Sequence, residues 1–497
     1  MRWAILAAAV IAYVVCAWMS IITKRPWSDE GWFASAGFTL ATKGYMGTPV
    51  MEETSIGLTG INQRTYWVLP AYFLVQAAWY KLVGFSLFSM RALSLLCGLV
   101  SIACWHGILL RLAGRFAAAI GTVLLATDYY FVQAGSFGRY DMLCLTLGSL
   151  SIWLYLRLRE THFTAAILLS HVFACAAGLT HFLGVMLFLW LVMLTLVLDR
   201  RRITFSLCLA CMVPYLAGGG LWLNYIRENP EHFRAQFLGT AVTAGRVSGI
   251  LTPFNAFLRE ISERYLIGYG LGTHSAAHSG PIWIKSFILL AWLVGLAVVL
   301  GRADLRRRVP VRLFAVLVLL QFVIMTYLDG HKQTWYLVYM TVPFAALLAI
   351  AAEWSWTHWP RLRWFVATGL AGLVMIQTGG SLLRSRINVY ENQFLPAARF
   401  LTQPARDGKV LMASAELGFG IGFDSKLTDD TLMGYHTQLR PDFIVQESNW
   451  TGIMEIFRTE RPTVFAHMKR LLEDEYQVVY DQNGYKIWER LAVPRKK

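Results

Sequence analysis

Acidic residues are scarce in this chain. Asp and Glu total 30 of 497 residues against 45 Lys and Arg, and charged residues of both signs make up only 15%. A surface so poor in charge excludes an ordinary soluble domain. The 56% of hydrophobic residues, at a mean hydropathy of +0.48, gather instead into long uncharged runs. Cysteine is equally limited. The 7 present are Cys16, Cys97, Cys104, Cys144, Cys175, Cys208 and Cys211, all within apolar runs, which excludes a disulfide framework. Cys208 and Cys211 have the spacing of a redox or zinc pair, but they lie in FSLCLACMVPYL and read as packing residues. Internal repeats, low-complexity tracts and nucleic-acid motifs are absent. The net charge of +15 therefore needs another explanation. The Lys and Arg sit in short clusters between apolar runs, the pattern of a membrane protein oriented by its cytoplasmic loops.

What is there is a polytopic α-helical membrane protein. Apolar runs lie near 4–22, 66–84, 88–112, 115–131, 141–157, 163–180, 182–198, 203–224, 281–300, 309–328, 334–352 and 362–380. The first is long enough to span and lacks a small-x-small cleavage site, so it is expected to stay as an anchor. The run 66–84 contains Pro70, Gln76 and Lys81 and reads as an interfacial or re-entrant helix. Charge parity decides its role. If it does not cross, Arg111/Arg115, Arg157/Arg159, Arg200/Arg201/Arg202, Arg302/Arg306/Arg307/Arg308 and Arg361/Arg363 all fall on the side of Arg2, the cytoplasm. This predicts about eleven spans, an inner N-terminus and an outer C-terminus. The membrane domain is expected over 1–385, with loop and interfacial helices at 23–87. The polar tail, 386–497, is expected to form a small α/β domain on the outer face. Its runs KVLMAS, DFIVQE and YQVVYDQ read as strands, segments 391–403 and 463–475 as helices, and Asn483-Gly484 as a type I′ hairpin turn.

The outer loops hold the polar residues of interest. Asp29-Glu30, in PWSDEGWF, follows the first span, where carboxylates are costly. A wet loop and a site both explain the pair. Asp141, in SFGRYDMLCLTLG, opens a span with Arg139 and Tyr140 just before it; helix capping and function both fit. Lys332, in DGHKQTWYLVYM, is spaced i, i+4 from Tyr336, and a Lys at a helix N-terminus opposes the macrodipole unless an anion binds there. His331 precedes it, and His181 ends a span at GLTHFLGV. Arg246 lies in the long loop 225–280. His274 and His278, in its glycine-rich part, are a weak metal pattern. Arg64, in GINQRTYW, is a further candidate phosphate contact.

Taken in order, these segments resemble the GT-C superfamily of membrane glycosyltransferases, in particular the branch with the protein O-mannosyltransferases and lipid A aminoarabinose transferases. SDEGWFASAGFTLATKGYMG is similar to the family's acidic motif after the first span. QRTYWVLPAYFLVQAAWYKLVGFS is similar to its interfacial helix but lacks the Pro-Pro pair. Arg91, Arg139 with Asp141, THFLG and WYLVYMTVPFAALL follow in the family's sequence. The resemblance implies a GT-C fold in a bacterial inner membrane, with the acidic face and tail in the periplasm. It implies an inverting transferase that takes a sugar from a polyprenyl-phosphate donor, of undecaprenyl type, to a hydroxyl of an envelope acceptor: lipid A or lipopolysaccharide, another glycan, a lipid or a protein. Nucleic acid is not expected as a partner; membrane lipids are. Asp29, Glu30 and Asp141 take the catalytic roles. Lys332, Arg139, Arg64 and Tyr336 are expected at the donor phosphate, and His181, His331, Arg246 and Tyr140 at the substrate. A divalent ion such as Mg or Mn, held by Asp29 and Asp141, stays open. The alternatives are a flippase for lipid-linked glycans, which predicts repeats or deep charges, and an O-antigen ligase or polymerase.

Overall fold

The computed structural model describes residues 2–54, 57–242, 245–271 and 282–493. His274 and His278 lie outside them. Among the described residues nine helices are long and apolar enough to cross a membrane. They begin with α1 (Arg2–Thr23), which has no charge after its first residue and reaches about 33 Å, the thickness of a bilayer core. The helix α2 (Ser28–Lys43) follows at once and carries Asp29 and Glu30 in its first turn, where the helix dipole favours acids.

The short helix α3 (Ala71–Val83) does not cross. Before its start, Trp67 stacks on Phe33 of α2. Past its end, Phe85 meets Phe38 of α2 and Phe423 of the C-terminal part, so both ends stay on one face. From that face α4 (Leu87–Leu112) runs away and α5 (Arg115–Thr127) with α6 (Tyr129–Ala134) returns. The return is fixed by Gly138 N, which donates to Glu30 Oε1 at 2.8 Å. α7 (Tyr140–Leu158), α8 (Phe163–Thr180) and α9 (Gly184–Asp199) then cross in turn. His181, between α8 and α9, stacks on Tyr140 at one end of α7, and Asp199 bonds Tyr155 and Arg159 at the other. Although α5 and α9 measure only about 20 and 24 Å, their ends lie on opposite faces. With them the crossing helices among the described residues reach the expected number of about eleven. The long α10 (Phe205–Glu228) packs on α8 and is otherwise exposed, as a lipid-facing helix is. The buried helix Leu337–His358 forms the centre of the bundle.

Beyond the last long helix, Arg363–Ser385, the chain builds a five-stranded sheet in the order β2-β1-β3-β5-β4. Its strands are β1 (Leu411–Met412), β2 (Leu427–Thr428), β3 (Phe443–Glu447), β4 (Tyr476–Gln482) and β5 (Tyr485–Arg490). β1 runs parallel to β2 and β3, and β5 antiparallel to β3 and β4. The hairpin turn has positive φ at Asn483 (55°) and Gly484 (79°), as type I′ requires. The helix Pro462–Glu475 matches the expected one; the helix Ser448–Glu460 was not anticipated.

This sheet domain sits directly on α2. A Cβ at Gly31 would lie 2.4 Å from the carbonyl carbon of Ala415, so only glycine allows the approach. Trp32 Nε1 donates to Asp429 Oδ2 at 2.8 Å, and Asp429 exchanges backbone bonds with Val50 and Glu52. Arg25 reaches Glu447 at 2.8 Å.

Candidate functional site

Asp29 and Glu30 are neighbours in sequence with opposite surroundings. Glu30 is fully buried and Arg91 forks onto it, with Nε at 2.8 Å from Oε1 and Nη2 at 2.7 Å from Oε2. Gly138 N and Trp27 N donate to the remaining lone pairs at 2.8 and 3.0 Å. Arg91 spends its other donors on the carbonyls of Ile21, in the last turn of α1, and of Lys24 and Arg25 just past it. All five guanidinium N–H groups are used. Every lone pair of Glu30 that faces the protein is therefore engaged. Glu30 with Arg91 is a saturated buried ion pair that ties α1, α2, α4 and the entry to α7 together.

Asp29 points the other way, into a cleft, and is partly exposed. Its Oδ2 pairs with Arg139 Nη1, and Arg139 Nε donates to Asp141 Oδ2 at 2.8 Å. One guanidinium thus bridges two carboxylates from the first turns of α2 and α7. Four rings, those of Trp335, Trp27, Tyr140 and Phe33, surround it with centroids 5.0–5.6 Å from its central carbon. Burial raises the Asp29 pKa above the ordinary carboxylate value, outweighing the opposing pull of Arg139.

Several polar atoms here have no partner. Asp141 Oδ1 is buried and unbonded, as are both ring nitrogens of His181 and Nε of Arg246. His181 stacks on Tyr140 (4.5 Å, 22°) and lies 5.3 Å from the Tyr336 ring. Burial lowers its pKa well below 6.5, so the imidazole is neutral. The hydroxyls of Tyr140 and Tyr336 are 3.1 Å apart, and Arg246 lies against both rings' hydroxyl ends. A cavity of about 40 Å³ is lined by Tyr140, His181, Arg246 and Trp67. Buried polar groups are normally bonded, so this concentration of open donors and acceptors marks a place for a polar ligand.

Other expected contacts fall elsewhere. Lys332 and Tyr336 do not share a helix face. Lys332 has φ 52° in the turn ahead of the helix, and its Nζ folds back to Glu260 at 3.0 Å and Thr326 O at 2.5 Å. It belongs to a buried ion cluster with Arg264, which pairs with Glu260 at 2.6 Å and Asp329 at 2.8 Å. His331 is exposed on the same turn. Arg64 pairs with Glu228 and lies over Tyr225 in the wall of a separate cavity of about 960 Å³. Asp29 and Asp141 do not fit a divalent ion, because Arg139 already fills the space between them, and no group of three or more metal-binding side chains occurs among the described residues. The aromatic cage itself carries no sequence signal, since its rings come from three distant segments.

Comparison with known proteins follows this geometry. Residues 68–223, about a third of the chain, match the dolichyl-phosphate-mannose-protein mannosyltransferase family. That stretch contains Arg91, Arg139, Asp141 and His181. The structure is similar to ArnT from Cupriavidus metallidurans bound to undecaprenyl phosphate. The TM-score is 0.62 at 16% identity, over 98% of this chain and 97% of that one. The chain has the GT-C glycosyltransferase fold. It is also similar to the Archaeoglobus fulgidus oligosaccharyltransferase in the apo form, with TM-score 0.59 at 10% identity, over 99% of this chain and 75% of that one. No curated protein sequence matches. The fold is that of these transferases, and the mannosyltransferase family match lies over residues 68–223 of it.

Proposed function

We propose that this protein moves a sugar from a polyprenyl-phosphate donor to an acceptor hydroxyl, with inversion, at the outer face of a bacterial inner membrane. The observation that carries the reading is the Asp29–Arg139–Asp141 bridge beside the open groups of His181 and Arg246. The undecaprenyl phosphate of the similar ArnT structure supports the donor class. The basic clusters on the opposite helix ends support the orientation, with the sheet domain in the periplasm.

In this reading Asp29 takes the proton of the acceptor hydroxyl as its oxygen attacks the anomeric carbon. The bond from that carbon to the phosphate oxygen breaks, and the phosphate leaves as an anion. Arg246 receives the developing charge, with the hydroxyls of Tyr336 and Tyr140 as added donors. Arg139 holds Asp29 and Asp141 at fixed spacing. Asp141 Oδ1 and His181 are free to bond sugar hydroxyls. Lys332 and Arg64, held in ion pairs of their own, are not assigned to the phosphate. The acceptor is an envelope molecule with a hydroxyl.

The test is turnover of a panel of polyprenyl-phosphate sugars by purified protein, beside Asp29→Asn. The variant is expected to fold normally and lose about 10²–10⁴ in rate. Near-normal transfer by Asp29→Asn would falsify the role of the base.

A further inference from the structure

Three cations gather at the site-facing end of the bundle without a counter-ion. Lys24 follows α1, Lys285 opens the span Trp283–Gly301, and Arg384 lies one residue before the end of the helix Arg363–Ser385. The last helix meets α1 end to end, where Ser20 Oγ and Ser385 Oγ are 3.2 Å apart. Lys285 Nζ lies 4.6 Å above the Tyr129 ring and the Arg384 guanidinium 5.0 Å from it. Lys24 Nζ is 5.4 Å from the neighbouring Phe137 ring.

No carboxylate among the described residues pairs with any of the three. The acid that acts most on Lys24 is Glu30, already saturated by Arg91, and burial alone shifts Lys285 and Arg384. Asp128, next to Tyr129 in sequence, turns to Tyr130 N, Phe131 N and Thr341 instead. The sequence of 272–281, which leads into the Lys285 helix, has no Asp or Glu. Burial, with Arg384, Arg91 and Lys285 nearby, pushes Lys24 down to about 7. Half-buried cations that repel one another and lack a partner are costly, and an anion removes that cost.

The surroundings say what kind of anion. Trp283, Phe287, Leu382 and Leu383 are exposed apolar residues at the same ends of the two spans, as suits the level where acyl chains meet headgroups. We propose that Lys24, Lys285 and Arg384 around Tyr129 form a second phosphate site, which holds the headgroup phosphate of an anionic lipid from the same leaflet. The rings of Phe137 and Trp27 stand in the contacts from Lys24 to Arg139, and the proposal separates this site from Asp29. It does not depend on the identity of the transferred sugar.

The experiment compares unfolding midpoints of the whole purified protein with phosphatidylglycerol vesicles, phosphatidylcholine vesicles and inorganic phosphate. The wild type is expected to rise by several degrees with phosphatidylglycerol alone. The variant Lys285→Gln/Arg384→Gln is expected to start higher without anionic lipid, because a repulsion is gone, and to lose the rise. Arg384→Lys keeps the charge and is expected to keep the rise, which guards against a folding defect in the double variant. Donor turnover by the double variant in phosphatidylcholine is expected to stay within about twofold of wild type, a change too small to mark a reacting group. An equal rise in wild type and double variant overturns the proposal, as does a rise with inorganic phosphate that matches the lipid. A collapse of turnover in phosphatidylcholine overturns the separation from the reaction site.

Discussion

The two ends of α7 carry the same residue types in opposite states. At one end Asp199 accepts from Tyr155 at 2.6 Å, from Arg159 at 2.7 and 3.2 Å, and from Arg202 at 3.3 Å. Both of its oxygens are occupied. At the other end Asp141 shares Arg139 with Asp29 and keeps Oδ1 open, beside a histidine with two open nitrogens and an arginine with an open Nε. Arginine, aspartate and tyrosine near a helix end do not distinguish a brace from a site. Hydrogen-bond saturation differs between these two ends. Glu30 with Arg91 falls on the brace side of that line and Asp29 on the other, although they are adjacent.

The contrast breaks most sharply at its two aspartates. Asp199→Asn is expected to cost about 1–3 kcal/mol of stability, since Arg159 and Tyr155 lose a charged acceptor. Its turnover at a permissive temperature should stay within about threefold of wild type, because no group at the reacting end moves. Asp29→Asn should do the reverse. Unfolding curves and initial rates on both variants decide it, and equal losses of activity would erase the distinction. A smaller effect is expected for His181→Phe. The ring stack on Tyr140 survives, and no hydrogen bond within the protein is lost. The unfolding midpoint should hold or rise while the rate falls about tenfold, the order of one or two lost hydrogen bonds to substrate.

The smallest effect concerns the sheet domain, which holds two buried acids of its own. Burial raises Asp429 to about 7 and Glu416 to about 8, against the pull of Arg25 on Glu416 and of Trp32 and Ala415 N on Asp429. Their folded pKa values exceed the unfolded ones, near 4. The folded state thus binds more protons, and the stability they contribute is full below about pH 4 and is lost as pH rises toward 8. Midpoints measured across that window should fall, and Asp429→Asn should flatten the slope. A flat wild-type profile would remove this account of the junction.

Much of this was legible in the sequence. Apolar run lengths and basic clusters gave the crossing helices and the non-crossing α3, because the bilayer imposes length and charge sign locally. Asn483-Gly484 announced its hairpin, since few residues tolerate consecutive positive φ. Asp29, Arg139, Asp141, Tyr140, Tyr336, His181 and Arg246 do come together. Pairings decided by distant segments were not legible. Lys332 looked like an anion contact because its partners Glu260 and Thr326 lie outside its own helix. Nothing local to Glu30 announces the Arg91 fork that saturates it. The rest of the junction, Asp429 under Trp32, joins positions with no local signal at all.

Gly31 has a mechanical meaning. With no side chain there, the helix that carries Asp29 rests backbone to backbone on Ala415, and Trp32 bolts the next residue to Asp429. This first turn of α2 cannot swing without lifting the sheet domain with it. Any opening of the cleft that moves α2 is therefore a tilt of the whole cap, and a pair of fluorophores, one on the cap and one in the bundle, would register each cycle at a distance from the chemistry.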